Sequence, residues 1–249
     1  MAATAQLTYY GHSAFKLTLP SGKILLIDPW ITNPLNDSGK EDVAALEKVD
    51  LICLTHAHGD HVGDAVEIAK RTRAKLVANY DVAAAVRSVL GYPAELGDTE
   101  AVGHIGGEVQ LLEGEVTARF TPAWHGSAAE RGDKSPPVYG GTPSGVVLSL
   151  RGGPTIYHTG DTDLFSDMAL VSRFTPIDWM LVCMGDHFTM GPQRAAAAVE
   201  FVKPRFVVPI HFGTFPLLTG TPEALEKEMR ALGSKAEMRT MQPRETVDF

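Results

Sequence analysis

The sequence predicts an α/β protein in which mixed β-sheets stack and carry helices on their outer sides. Three observations lead there. In both halves of the chain short apolar runs precede segments with apolar residues at helical spacing, the alternation typical of α/β folds. Hairpin signals are mixed in, so the sheets are not purely parallel. The composition, 44% hydrophobic and 21% charged over 249 residues, is that of an ordinary globular chain whose core needs no covalent staples. With no repeat, low-complexity run or break in composition, residues 1–249 read as one domain.

The elements follow in order. Leu7 to Leu19 alternates loosely and reads as strand, interrupted by Gly11-His12-Ser13. Lys23 to Asp28 is a short apolar strand that stops at the turn signal Asp28-Pro29-Trp30. Leu51 to Thr55 has the continuous apolar character of a strand buried on both faces. A histidine-rich turn follows, then a helix from Val62 to Lys70. Lys75 to Ala78 is a strand, and Asp81 to Leu90 a helix capped by Asp81 and stopped by Gly91-Tyr92-Pro93. Glu108 to Leu112 and Glu115 to Phe120 form a hairpin around Glu113-Gly114. Gly126 to Ser144, rich in Gly, Pro, Ser and charge, reads as a long loop beside the active site. Val146 to Leu150, Thr155 to His158, Trp179 to Met184 and Arg205 to Ile210 are strands. Pro192 to Phe201 is a helix. Thr221-Pro222-Glu223 opens another, with an N-cap and Pro at the first position, that runs to about Leu232.

Charge and composition narrow the function classes. A formal charge of −8 repels nucleic acid and anionic membrane unless a local patch reverses the field. The densest basic stretch, Lys70 to Lys75, reads as a helix end complementing the dipole. No signal peptide is visible in the first residues, and no apolar stretch is long enough to span a bilayer. Cys53 and Cys183 lie inside apolar runs and read as reduced core residues of a cytoplasmic protein.

The segment that carries chemistry is Thr55-His56-Ala57-His58-Gly59-Asp60-His61. Three imidazoles and a carboxylate fall within six residues directly after a buried strand. Structural histidines rarely crowd so, because like groups repel when protonated, whereas a divalent metal binds them neutral. In extended backbone His56 and His58 point the same way. The turn at Gly59 sends Asp60 and His61 elsewhere, so one loop can serve two adjacent ions. Two ions need more ligands than these four. His125, Asp161 and His211 each follow a predicted strand, where α/β sheets often place binding residues. Each alone reads equally as a buried polar residue satisfied by backbone; after the cluster they complete two coordination spheres.

The succession His56-x-His58-x-Asp60-His61, His125, Asp161 and His211 resembles the signature of the metallo-β-lactamase superfamily over nearly the whole chain. Tyr10-Gly11-His12-Ser13-Ala14-Phe15, Thr159-Gly160-Asp161-Thr162 and Phe188-Thr189-Met190-Gly191-Pro192 resemble its small metal-dependent hydrolase branch, related to ascorbate-6-phosphate lactonase. The resemblance implies a four-layer αββα sandwich with the metals at one edge. It implies that His56, His58 and His125 hold one ion, that Asp60, His61 and His211 hold the other, and that Asp161 bridges. His58 stands where flavodiiron oxidoreductases of this fold carry glutamate, which disfavours redox chemistry. No cysteine is placed to ligate the second ion, which departs from true β-lactamases with a Cys ligand. Nitrogen and oxygen ligation suits zinc first, with manganese or iron as alternatives.

The expected function is hydrolysis of a small ester, lactone or phosphoester by a hydroxide bridging two metals. Asp60 is placed to accept a proton as well as to ligate. His12 could orient substrate or donate a proton, or be a surface turn histidine. His187 is a candidate for tuning the substrate, and His158 for supporting the Asp161 loop. Tyr139, Arg131 and Lys134 could meet an anionic substrate, though solvated loop residues are the stronger reading. His104 carries no assignment. The partner expected is a small molecule, with no membrane, nucleic acid disfavoured, and homo-oligomers compatible. Two alternatives stand: a phosphodiesterase or nuclease on the same fold, and a non-catalytic metal-binding protein with filled coordination spheres.

Overall fold

The computed structural model describes residues 4–249; Met1, Ala2 and Ala3, part of the stretch read for a leader, lie outside them. The chain begins with β1 (Gln6–Tyr9), β2 (Phe15–Thr18) and β3 (Ile24–Ile27), all antiparallel. After α1 (Gly39–Ala45) comes β4 (Leu51–Cys53), parallel to β3. Short α2 (Gly59–Val62) and α3 (Ala65–Thr72) lead to β5 (Lys75–Asn79), α4 (Tyr80–Leu90), α5 (Ala94–Gly97) and β6 (Val102–Gly103). The second half opens with the hairpin β7 (Glu108–Leu111) and β8 (Val116–Pro122). A small hairpin, β9 (Ala128–Ala129) and β10 (Val138–Tyr139), precedes β11 (Ser144–Leu150) and β12 (Thr155–His158). Then come α6 (Met168–Val171), β13 (Trp179–Cys183), α7 (Pro192–Val202), β14 (Phe206–Ile210), α8 (Pro222–Ala231), β15 (Glu237–Met238) and β16 (Thr246–Asp248).

Two seven-stranded mixed sheets result, in the orders β16-β1-β2-β3-β4-β5-β6 and β15-β14-β13-β12-β11-β8-β7. The last strand returns to the first sheet, where Leu7 pairs with Val247. Side-chain alternation decides what each face buries. Leu25, Ile27, Leu51 and Cys53 point into the core between the sheets, with Phe120, Leu148, Ile156 and Leu181 of the second sheet. The intervening Leu26 and Ile52 point outward onto Ile68, Ala69, Val82 and Val86 of α3 and α4. Both faces of β3 and β4 are therefore buried, which is why their sequences are apolar without alternation. On the far side α7 lays Ala195, Ala198, Val199 and Val202 on the second sheet, and α8 adds Leu225 and Met229. The layers are helix, sheet, sheet, helix.

Several expectations change in detail. The predicted strand from Leu7 to Leu19 is two strands, because Gly11 (φ +99°) and His12 (φ 55°) turn the chain between them. The helix expected from Val62 to Lys70 breaks at Gly63, whose φ is +40° and whose missing side chain lets the chain lie against the Trp30 backbone. The cap of α4 is Asn79, which accepts from the Val82 N–H, and not Asp81. Gly126 to Ser144 is not all loop: β9 and β10 pair within it, and Ala129 packs into the core beside α4. The basic stretch ends α3 as expected. Arg71 donates to the Val43 and Leu46 carbonyls, while Arg73 and Lys75 pair with Glu95 and Glu100.

Candidate metal centre

Five segments at one edge of the stacked sheets supply the site. His56, His58, Asp60 and His61 follow β4 of the first sheet, the last two on α2. His125 follows β8, Asp161 follows β12 and His211 follows β14, all in the second sheet. His12 enters from the β1–β2 turn, where the His211 N–H donates to the His12 carbonyl and ties the two turns together at 2.9 Å. The sequence-predicted ligands come together. Ligand atoms of His56, His58 and His125 lie within 4.8 Å of one another, as do those of His56, His61 and Asp161, and those of His12, Asp60, His61 and His211.

Their orientation is set by Asp28, a fully buried carboxylate that the sequence marks only as part of a turn. Its Oδ2 accepts from His61 Nδ1 at 2.7 Å and from the Thr55 hydroxyl at 2.6 Å; its Oδ1 accepts from the Thr55 N–H at 2.8 Å. With its proton given to Asp28, the Thr55 oxygen accepts from His56 Nδ1 at 3.0 Å. One carboxylate thus fixes the tautomers of two histidines and leaves both Nε2 atoms facing the centre. Asp28 holds this position at a φ of 42°, which a non-glycine residue adopts at some cost. Behind the second-sheet ligands, fully buried His158 donates from Nε2 to the Ser13 carbonyl and accepts the Gly160 N–H on Nδ1. It braces the Asp161 turn, the role expected of it, and the His12 turn as well, which was not.

The centre is polar, buried and internally unsatisfied. His61 Nε2, Asp161 Oδ1 and both ring nitrogens of His211 have no hydrogen-bond partner among the described residues. They are nonetheless close: His61 Nε2 lies 3.2 Å from Asp161 Oδ1, and His211 Nε2 lies 3.0 Å from Asp161 Oδ2. Atoms that crowd without aligning as hydrogen bonds converge on a common point. Each buried polar atom left so would cost about 1–3 kcal/mol. A divalent cation at that point would satisfy His61 Nε2, Asp161 Oδ1 and His211 Nε2, leaving His211 Nδ1 directed away from it, and imidazole nitrogen with carboxylate oxygen is the donor set of zinc, manganese or iron. The residues fit the group.

Electrostatics divide the histidines. Burial holds His56 and His58 below the usual imidazole range, and His125 likewise, so these three stay neutral and ready to ligate. Burial also opposes charge on His61 and His211, but carboxylates win there. Asp161 and Asp28 raise His61 well above its ordinary value, and Asp161 raises His211 to about 9. Asp161 is fully buried, which would raise it, yet His211 and His61 hold it well below the carboxylate range. His12 is pushed down to about 4 by burial, against a hydrogen bond to Asp60. Neutral His12 therefore donates from Nε2 to Asp60 Oδ2 at 3.2 Å and accepts from the Thr214 hydroxyl on Nδ1 at 2.7 Å.

A cleft of about 560 Å³ opens onto the centre. Its floor is His58, Asp60, His125, Asp161 and His211, and its wall is Phe188 with the run Phe215 to Leu217. Two sequence expectations are corrected here. The segment from Gly126 to Ser144 lies beside the metal loop, where a side chain at Gly126 would meet His58 and the Ser127 hydroxyl accepts from the Ala57 N–H, but it contributes no residue to this cleft: β9 packs against α4, and Arg131, Lys134 and Tyr139 are exposed. His12 is no surface histidine; it is completely buried, hydrogen-bonded to Asp60 and packed on the His211 ring at 4.1 Å between centroids. His187 is exposed, at a φ of 52°, and sets its ring edge-on to Phe188 at 4.4 Å between centroids. Exposed His104 lies against Tyr80, away from the centre.

Comparison with known proteins agrees with this geometry. The model of the beta-lactamase superfamily domain matches residues 23–212. A UPF0173 metal-dependent hydrolase of Thermodesulfovibrio yellowstonii is 56% identical over 90% of this chain and 84% of its own length. One from Anaeromyxobacter dehalogenans is 47% identical over 98% of this chain and 86% of its own. Among solved structures, Igni18, a metallo hydrolase from the archaeon Ignicoccus hospitalis, superposes with a TM-score of 0.82 at 35% identity, covering 99% of this chain and 98% of the other.

Proposed function

We propose that this chain, which belongs to the beta-lactamase superfamily and within it to the UPF0173 metal-dependent hydrolases, is a binuclear hydrolase of a small ester, lactone or phosphoester. The observation that carries the reading is the convergence of partnerless buried donor atoms at the floor of an open cleft. His56, His58 and His125 would hold one ion, and Asp60, His61 and His211 the other, with Asp161 between them. When bound, the two divalent ions would acidify a water and polarise the substrate oxygen. Zinc is the first choice of metal, then manganese or iron.

The chain's own residues do the rest. Asp28 and Thr55 hold the His56 and His61 rings so that their Nε2 atoms face inward. Asp60 is kept ionised by the hydrogen bond from His12 and by the nearby His211 and His61 rings, despite burial that favours its neutral form. It reaches the cleft and can take up a proton from an attacking water at a carboxylate oxygen. His12 lies behind Asp60 and acts through it, as a positioning residue. His187 shapes the rim by packing on Phe188. The same proposal treats the chain as one domain, since both sheets share one core. It also places it in the cytoplasm, supported by two buried free cysteines. Among the described residues no helix is long and apolar enough to cross a membrane.

The test is metal content by elemental analysis for the wild type and for a double variant, His58→Ala with Asp161→Ala. Near two equivalents in the wild type, falling sharply in the variant, are expected, with turnover of simple lactones or of bis(p-nitrophenyl) phosphate. Less than one equivalent that added zinc or manganese cannot raise would sink the reading. Full loading with no turnover on a broad panel would favour a binding-only protein.

A further inference from the structure

The cleft's chemistry outside its floor narrows the substrate. Every polar residue that lines it, His58, Asp60, His125, Asp161 and His211, is a candidate metal ligand, so its lone pairs are committed once ions are held. What remains is Phe188, Phe215, Pro216 and Leu217. Among the described residues no lysine, arginine, serine, threonine, asparagine, glutamine or tyrosine faces the cleft. The guanidinium of Arg194, on α7, is occupied by Asp163 at 2.7 Å. A hydroxyl or remote phosphate on a substrate would lose its water against this wall and find no partner, at a cost of about 1–3 kcal/mol per group.

The wall is also built rather than left over. Phe188 and Leu217 stay 49% and 52% exposed, an apolar rim that gains nothing from folding. Phe215 is braced by stacking on Trp30, with ring centroids 5.8 Å apart. Phe188 is presented by a turn in which Asp186 (φ 68°) and His187 (φ 52°) both adopt left-handed backbone. Strain of that kind persists where surrounding structure imposes it, and it clusters at ligand sites.

We infer that the substrate is an uncharged ester or lactone whose alkyl or acyl chain lies along Phe188, Phe215 and Leu217. This rests on the hydrolase reading above and deepens it. Water adds to the acyl carbon and the acyl C–O bond breaks. The products are a carboxylate with release of one proton, and the hydroxyl of the alcohol or of the opened lactone. Nucleotides and sugar phosphates are excluded as good substrates, because their hydroxyls and flanking phosphates would face the apolar wall.

The test uses zinc-loaded or manganese-loaded full-length protein and δ-lactones that share one ring and differ only in tail, from δ-valerolactone to δ-dodecalactone. The comparator is glucono-δ-lactone, the same ring covered in hydroxyls. kcat/KM is expected to rise about two- to fourfold per methylene along the series, from the burial of each CH₂. Glucono-δ-lactone should fall at least tenfold below δ-decalactone. Leu217→Asp and Phe188→Asp should flatten the slope while metal content stays at the wild-type value. A flat series, or a preference for glucono-δ-lactone, overturns the inference and leaves the hydrolase reading standing. Turnover of bis(p-nitrophenyl) phosphate but of no lactone overturns the inference and leaves the hydrolase reading standing. Should neither turn over with metals bound, the hydrolase reading fails, and calorimetric binding of methyl ketones from 2-pentanone to 2-undecanone decides the apolar cleft separately. Affinity rising with chain length supports it, and length-independent or absent binding overturns it.

Discussion

Asp28 shows how much one side chain can govern without touching substrate. It accepts three hydrogen bonds, two of which set the tautomers of His56 and His61. Asp28→Asn tolerates the positive φ but loses the charge and can no longer accept all three. Metal affinity is expected to fall about 10- to 100-fold, as for other carboxylates behind histidine ligands, measured by competition with a chelator; an unchanged affinity would remove Asp28 from this role. The protonation pattern makes a second prediction. In the metal-free protein His61 and His211 are raised by carboxylates, while His56, His58 and His125 are neutral. Metal binding near pH 7.5 should therefore release about two protons from the ligands His61 and His211, rather than five from the imidazoles, with about one more from the water that the ions acidify. Calorimetry in buffers of different ionisation enthalpy counts them. The same shift has a sign for stability. A histidine raised from 6.5 to about 9 binds its proton more tightly folded than unfolded. Its contribution is full below pH 6.5 and is lost as pH rises through about 9, so the metal-free protein should melt at progressively lower temperature over that window.

At the scale of elements, the loops after β13 and β14 build half of the site by pressing on each other. A side chain at Gly185 would collide with the His211 carbonyl oxygen, and one at Gly220 with the Met184 carbonyl oxygen. These two glycines exist for close approach: the Gly220 N–H donates to the Gly185 carbonyl at 3.0 Å across the contact. Gly185→Ala should cost about 1–3 kcal/mol of stability through overpacking, read as a lowered denaturation midpoint. It should also weaken metal binding, because relief requires moving His211. Loss of stability with metal affinity unchanged would show that the loop yields elsewhere. Paired Asp186 and His187 in left-handed backbone carry Phe188 to the rim in the same region, so the site's wall and its last ligand share one scaffold.

For the whole molecule the centre is a clasp between the two sheets. His56, His58, Asp60 and His61 come from the end of β4, and His125, Asp161 and His211 from the ends of β8, β12 and β14. Ions held between them would cross-link layers otherwise joined by apolar packing and by β16, which returns to pair with β1. Binding to the folded state alone adds about 2.7 kcal/mol at a hundredfold excess of free ion over Kd. For a chain of this size that is about 5–10 °C in melting temperature. Melts of chelated and zinc-loaded protein check it, and equal melting temperatures would mean the sheets close without the ions.

Much of this was readable in one dimension. Metal sites demand dense donors, and His56 to His61 concentrates them in a single loop after an apolar strand. His125, Asp161 and His211 stand out because each follows a strand, and short apolar runs such as Leu51 to Thr55 announce sheets buried on both faces. Asp28 did not stand out, since a carboxylate before proline looks like a turn until its neighbours are known. Nor did the apolar wall, because Phe188 and Leu217 look like core residues anywhere in a sequence. Their exposure, like the burial of His12 and the removal of residues 126–144 from the cleft, arises where distant loops pack together. Donor chemistry is a property of residue types and their spacing, and the chain states it locally. Which surface those donors face depends on long-range packing, and that surface selects the substrate.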